Sequence, residues 1–180
     1  MVEVVAYDPV WALQFRRLRD RIWPYVSDLA LAVEHVGSTS VPGLAAKPII
    51  DLDIVIPSRN ELPVIVKRLA ALGYAHRGNL GIQDRDAFSE PVNQPEHHLY
   101  VCPRDSLALR NHMVFRNHLR AHPCDAAEYA GLKRRLAEKF SLTIGRYIEG
   151  KSAFILSILA RYEFSADQLE SIRIANVSGA

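Results

Sequence analysis

The sequence predicts an α+β fold, with a small mixed β-sheet and a C-terminal helical bundle packed beside it. Three observations carry this. Short β-type segments with turn residues between them fill the chain up to about residue 104, and helical periodicity takes over after it. A length of 180 residues suits one domain with a real core. An apolar content of 49% with a mean hydropathy of −0.02 suits a globular chain. The expected organisation is one domain over 1–163, with the sheet core in about 1–104 and the helical part in about 105–163, followed by a tail over 164–180.

The first helix is expected over 8–28. Asp8 can cap it, Pro9 suits its first turn, and Trp11, Phe15, Leu18 and Ile22 recur at helical spacing. Pro24 predicts a kink or break near its end. Residues 29–36 read as a strand, and 37–48 as a loop with room for a short helical turn. Residues 49–56 form the strongest strand, with Ile50, Leu52, Ile54 and Ile56 on one face and Asp51 and Asp53 on the other. Pro57-Ser58 ends it. A helix over 61–72 stops at Gly73. Short strands over 74–77 and 85–89 flank the 78–81 turn, a polar loop fills 90–96, and a strand over 97–102 ends at Pro103. Helices are predicted over 107–121, 125–141 and 146–162, with Pro123 and Gly145 as separators. From about Phe164 the amphipathic character is weak and fraying is expected.

Bulk properties exclude several function classes. The net charge of +2 gives no electrostatic footprint for nucleic acid. Cys102 and Cys124 are the only cysteines, which fits a reducing compartment without a disulfide framework. The N-terminus lacks a signal-peptide pattern, and no apolar run approaches the roughly 20 residues of a membrane helix. A cytoplasmic location without membrane or nucleic-acid partners is expected.

The chemistry concentrates in His35 to Ile56. Asp51 and Asp53 are two apart, so on a strand their carboxylates share a face. Like charges there repel and lose hydration, and a divalent cation removes that penalty. With oxygen ligands and phosphate, the hard ion is Mg²⁺. The alternative is a strand with one wet, charged face. Gly37 lets the backbone approach a phosphate, and Ser38, Thr39 and the following N–H groups can donate to it. The alternative there is an ordinary turn. This is not a Walker A loop, because Gly43 precedes Leu44 and Lys47 comes too late; nor is there a Gly-x-Ser-x-Gly elbow. His35 reads best as a structural hydrogen-bond partner of the loop. Lys47 reads as a phosphate contact or a salt-bridge partner of the aspartates. Arg85, Arg116, Arg120, Lys133 and Lys151 either line a phosphate cleft or are solvated charges.

Gly-Ser followed by apolar-Asp-apolar-Asp-apolar resembles the pattern of the nucleotidyltransferase superfamily (polymerase beta-like). The full string Val36-Gly37-Ser38-Thr39-Ser40-Val41-Pro42-Gly43-Leu44-Ala45-Ala46-Lys47-Pro48-Ile49-Ile50-Asp51-Leu52-Asp53-Ile54 closely resembles the signature of the GrpB family. Further likenesses are Arg85 with Phe88, His97-His98-Leu99, Phe115-Arg116-Asn117-His118-Leu119-Arg120, Tyr129 with Lys133 and Leu136, and Tyr147 with Lys151 and Phe154. The resemblance covers about residues 5–162. It implies a nucleotidyltransferase-like core and transfer of a nucleotidyl group from an NTP to an unknown acceptor. Asp51 and Asp53 would hold Mg²⁺ or Mn²⁺, with His98 as a third ligand; Gly37, Ser38, Thr39, Lys47, Arg85, Lys133 and Lys151 would bind substrate. The alternative is a non-catalytic module binding a nucleotide or a CoA-type phosphate. Two departures bear on the choice. Asn117 stands where the family usually has Asp, and His97-His98 occupy the strand where a third carboxylate is common. A histidine there would suit Zn²⁺ or Mn²⁺ better than Mg²⁺.

Overall fold

The computed structural model describes residues 1–92 and 94–178. Residue 93 of the loop expected over 90–96, and residues 179–180 of the tail, lie outside the described residues. Helix α1 spans Val10–Val26, and the Asp8 carboxylate accepts from Val10 N–H at 2.9 Å. The helix runs through Pro24 instead of breaking there. Pro24 lies within a turn of the helix end, and the buried Ile22 and Val26 flank it and anchor that end to the core. Residues 29–31 close the helix instead of starting the strand: Leu29 and Ala30 N–H both reach Val26 O.

Strands β1 (Ala32–Val36), β2 (Ile50–Ile56), β3 (Ala75–His76), β4 (Asp86–Ser89) and β5 (His97–Pro103) form one sheet in the order β1-β2-β5-β4-β3. The β2–β5 pairing is parallel and the others antiparallel, so the sheet is mixed. Between β1 and β2 the chain makes a 3₁₀ turn over Ser38–Ser40. Helix α2 (Leu62–Ala71) follows a capping box in which Ser58 and Glu61 satisfy each other.

Ile50, Leu52, Ile54 and Ile56 pack with Trp11, Leu18 and Ile22 of α1 and Ile65 and Leu69 of α2 in the main core. The opposite face of β2, with Asp51 and Asp53, lies under helices α3 (Leu107–Ala121), α4 (Pro123–Lys139) and α5 (Ile144–Leu159). Pro123 opens α4 at its first position, just after the break at His122, and so marks the α3–α4 boundary, whereas Gly145 lies inside the first turn of α5 and the break before that helix falls at 140–143. The expected fraying from 164 is replaced by helix α6 (Ala166–Ser178). Ser165 and Gln168 cap it reciprocally, and Phe164 and Ile172 are buried with Leu159 of α5. Among the described residues, no helix is long and apolar enough to cross a membrane.

Candidate functional site

The turn after β1 is anchored from behind. Thr39 Oγ1 donates to Ile49 O at 3.2 Å and lies 3.1 Å from His35 Nε2, so the imidazole donates to the hydroxyl. His35 stacks on Phe15 at 4.6 Å, and burial lowers its pKa to about 4, keeping it neutral. From α3, Arg116 donates to His35 O at 2.8 Å and pairs with Glu34, while Arg120 donates twice to Ser40 O. These arginines hold the turn and its strand; they are not free phosphate ligands. Asn117 accepts from Arg116 Nε at 3.0 Å, so the residue in the family's aspartate position supports the same clamp. Gly37 has φ 68 and ψ −174, a conformation essentially closed to other residues. A Cβ there would also sit 2.8 Å from Asp51 Cγ and closer still to Oδ2. The glycine thus brings the turn's backbone directly against the Asp51 carboxylate.

On β2, Asp51 pairs in register with Val36 and His98, and Asp53 with Glu34 and Tyr100. Both carboxylates point toward α3, and each meets an imidazole. His98 Nδ1 lies 2.7 Å from Asp51 Oδ1, and that hydrogen bond, against the effect of burial, raises the histidine's pKa. His112 Nδ1, from α3, lies 2.7 Å from Asp53 Oδ2. Burial disfavours the charged His112, but the Asp53 charge and hydrogen bond together outweigh it and raise the pKa. Asp53 is completely buried, and its Oδ1 has no partner among the described residues. The adjacent His97 faces the other way, bonding Tyr74 Oη and Pro95 O.

A cleft opens above Asp51. One chamber of about 230 Å³ is lined by Gly37, Ser38, His112 and Asn176, and another of about 440 Å³ by Lys47, His98 and Lys133. Ser38, Asp51, Arg85, Tyr100 and Lys151 line both. Lys133 is 1% exposed, donates to Ala45 O at 2.5 Å and lies 4.7 Å from the Tyr129 ring. Burial, with nearby Lys151, lowers its pKa to about 7. Lys151 sits 4.5 Å over the Tyr147 ring, and burial lowers its pKa to about 8. Arg85 stacks at 4.4 Å over Tyr100, whose own pKa burial pushes up to about 12.

The structure therefore gathers Gly37, Ser38, Lys47, Asp51, Arg85, His98, Lys133 and Lys151 around one cleft. Thr39 also borders it, but its hydroxyl is committed to Ile49 O and His35. Asp53 lies beneath the cleft rather than in it. Asp51, Asp53 and His98 are not gathered into one ligand set in this arrangement. His98 Nδ1 is bonded to one carboxylate, His112 covers the other, and no group of three metal-ligating side chains converges among the described residues. His112 escaped the sequence reading, although a signal was present. Ala108, His112, Phe115, Arg116 and Leu119 recur at helical spacing and define the inward stripe of α3.

A model of the family described as "GrpB protein" matches residues 1–161. UPF0157 protein YqkA of Bacillus subtilis is 37% identical over 154 residues, covering 86% of this chain and 45% of its own length. This chain thus spans less than half of YqkA. The crystal structure of conserved protein GrpB from Enterococcus faecalis superposes with a TM-score of 0.79 at 31% identity, covering 96% of this chain and 98% of that one. The Cid1 poly(U) polymerase, in a MgGTP-bound crystal structure, matches with a TM-score of 0.54 at 14% identity, over 81% of this chain and 50% of that one. The second likeness shows the fold alone, and that fold is nucleotidyltransferase-like.

Proposed function

The chain belongs to the GrpB family, and from that premise we propose that it binds the phosphate chain of a nucleoside polyphosphate in the cleft between β2–β5 and α4–α5. One observation carries this reading. Lys133 and Lys151 face the Gly37-Ser38 turn from the helical wall, and neither has a carboxylate partner among the described residues. Burying an unpaired ammonium is unfavourable, and the lowered basicity of both lysines expresses that. An entering polyphosphate would restore both charges through charge-assisted hydrogen bonds. Lys47 and Arg85 add positive charge at the rim, and Ser38 offers its hydroxyl and N–H. His98 balances Asp51, which would otherwise repel the ligand.

A second reading is nucleotidyl transfer from an NTP to an acceptor. It is favoured by Asp51 and Asp53 sharing one strand face, and by the unpartnered Oδ1 of Asp53. Mg²⁺ or Mn²⁺ arriving with the nucleotide would neutralise phosphate charge in that case.

Calorimetric titration with ATP and with tripolyphosphate, in EDTA and in Mg²⁺, tests the proposal. Binding is expected without Mg²⁺ and is weakened about tenfold or more by Lys151→Ala. Affinity unchanged in Lys151→Ala and in Lys133→Met would overturn it. Pyrophosphate release separates the two readings. Mg²⁺-dependent release that Asp51→Asn abolishes supports transfer; binding without release over many acceptors supports the module.

A further inference from the structure

The cleft does not end at Tyr100. Past Arg85 and His112 it continues into a third chamber of about 460 Å³, between the 81–85 loop, the start of α3 and helix α6. Arg85, Asn111, His112 and Asn176 line both this chamber and the one over Gly37, so the chambers adjoin and make a segmented channel. The channel is sorted by charge. Lys47, Lys133 and Lys151 stand at one end. At the other, Arg85 and His112 stand with Asp84 and Asp105, and Asp84 is already paired with Arg59. Phosphate is drawn more strongly to the first end, where three lysines stand.

The far chamber has the groups to hold a planar, uncharged, hydrogen-bonding ligand. Asn111 and Asn176 contribute carboxamides, each with donors and an acceptor. Asn176 Nδ2 and Arg85 Nε are both shielded from water and have no partner among the described residues. Both side chains line the chamber, and a rotation that turns either donor toward it would let a ligand or ordered water satisfy it. Asn176 lies on α6, outside the 1–161 span of the family match.

We propose that this chamber receives the nucleobase of the nucleotide whose phosphates lie at Lys133 and Lys151, with Asn176 as a specificity-determining residue. The proposal rests on the polyphosphate reading above. A carboxamide matches a base edge that places a donor beside an acceptor, as adenine does. The planar Arg85 guanidinium provides a surface on which a base stacks.

The test compares the four common NTPs with tripolyphosphate by calorimetry at one ionic strength. Wild type is expected to bind at least one NTP about tenfold tighter than tripolyphosphate. Asn176→Ala should remove that advantage and leave tripolyphosphate affinity unchanged, which also shows that the variant is folded. Ser171→Trp, which fills the chamber from α6, should do the same. Equal affinity of wild type for all four NTPs and tripolyphosphate overturns this proposal alone. So does a base preference that survives both substitutions. Failure of wild type to bind tripolyphosphate or any NTP overturns the polyphosphate reading and this one with it.

Discussion

Replacing Gly37 with alanine tests how the turn and the strand carboxylate are coupled. Gly37 has φ 68 and ψ −174, where a side chain costs about 1–3 kcal/mol in backbone strain. The new Cβ would also lie 2.8 Å from Asp51 Cγ and 3.0 Å from Asp51 Cβ. Asp51 cannot simply withdraw. Its Cα is paired in register on both sides of β2, and its carboxylate is held by His98 at 2.7 Å. Forcing it aside is overpacking, at about 1–3 kcal/mol. The sum is about 2–6 kcal/mol. At roughly 2–4 °C per kcal/mol for a chain of this size, the melting temperature should fall by roughly 4–24 °C. A melt followed by circular dichroism reads this directly. The same substitution in an Asp51→Ala background separates the two contributions, because Cγ and both oxygens are gone. There the penalty should shrink toward the strain, about 1–3 kcal/mol, with only the 3.0 Å contact to the remaining Cβ added to it. An unchanged melting temperature, or equal penalties in the two backgrounds, would exclude a contact between residue 37 and the Asp51 carboxylate.

Three further outcomes are expected. His112→Ala leaves the fully buried Asp53 without its counter-charge and should cost about 3–5 kcal/mol in urea unfolding; a loss below about 1 kcal/mol would contradict the buried pair. His35 has a folded pKa of about 4 against 6.5 unfolded, so its contribution is present above pH 6.5 and is lost as pH falls toward 4, up to about 3 kcal/mol. His98 and His112 are shifted upward and act with the opposite sign: their contributions are full below pH 6.5 and fade as pH rises through the raised values. Urea midpoints from pH 7 to 4 should therefore flatten in His35→Gln, and an acid limb identical to wild type would rule out this origin. Finally, tripolyphosphate affinity should fall as pH rises through 7 and 8, where free Lys133 and Lys151 lose their protons. Titration in two buffers of different ionisation enthalpy should show proton uptake on binding near pH 8, and its absence would remove the lysines from the site.

Much of the architecture was legible because it is written in local chemistry. The β2 alternation of Ile50, Leu52, Ile54 and Ile56 against Asp51 and Asp53 dictates two unlike faces, and the main core forms on the apolar one. Breakers were less readable. Pro123 opens a helix as expected, but Gly145 sits in a first helical turn, where an unpaired N–H loses nothing, and Pro24 gives up a backbone bond inside a helix end that the buried Ile22 and Val26 anchor. Helix α6 carried a readable Ser165-to-Gln168 capping box, masked by the weak periodicity that follows it.

The string from Gly37 to Asp53 by itself determined the strand–turn–strand geometry, the glycine at its tightest point and the shared face of the two carboxylates, because these depend on neighbours in sequence. Only the tertiary structure decided what meets that face. His98 arrives by parallel pairing of β5, His112 descends from α3, and Lys133 and Lys151 come from α4 and α5. Whether a carboxylate faces a cation, an imidazole or a second acid is set by helix packing across the sheet. In this packing each carboxylate meets a histidine, beneath a lysine-lined cleft.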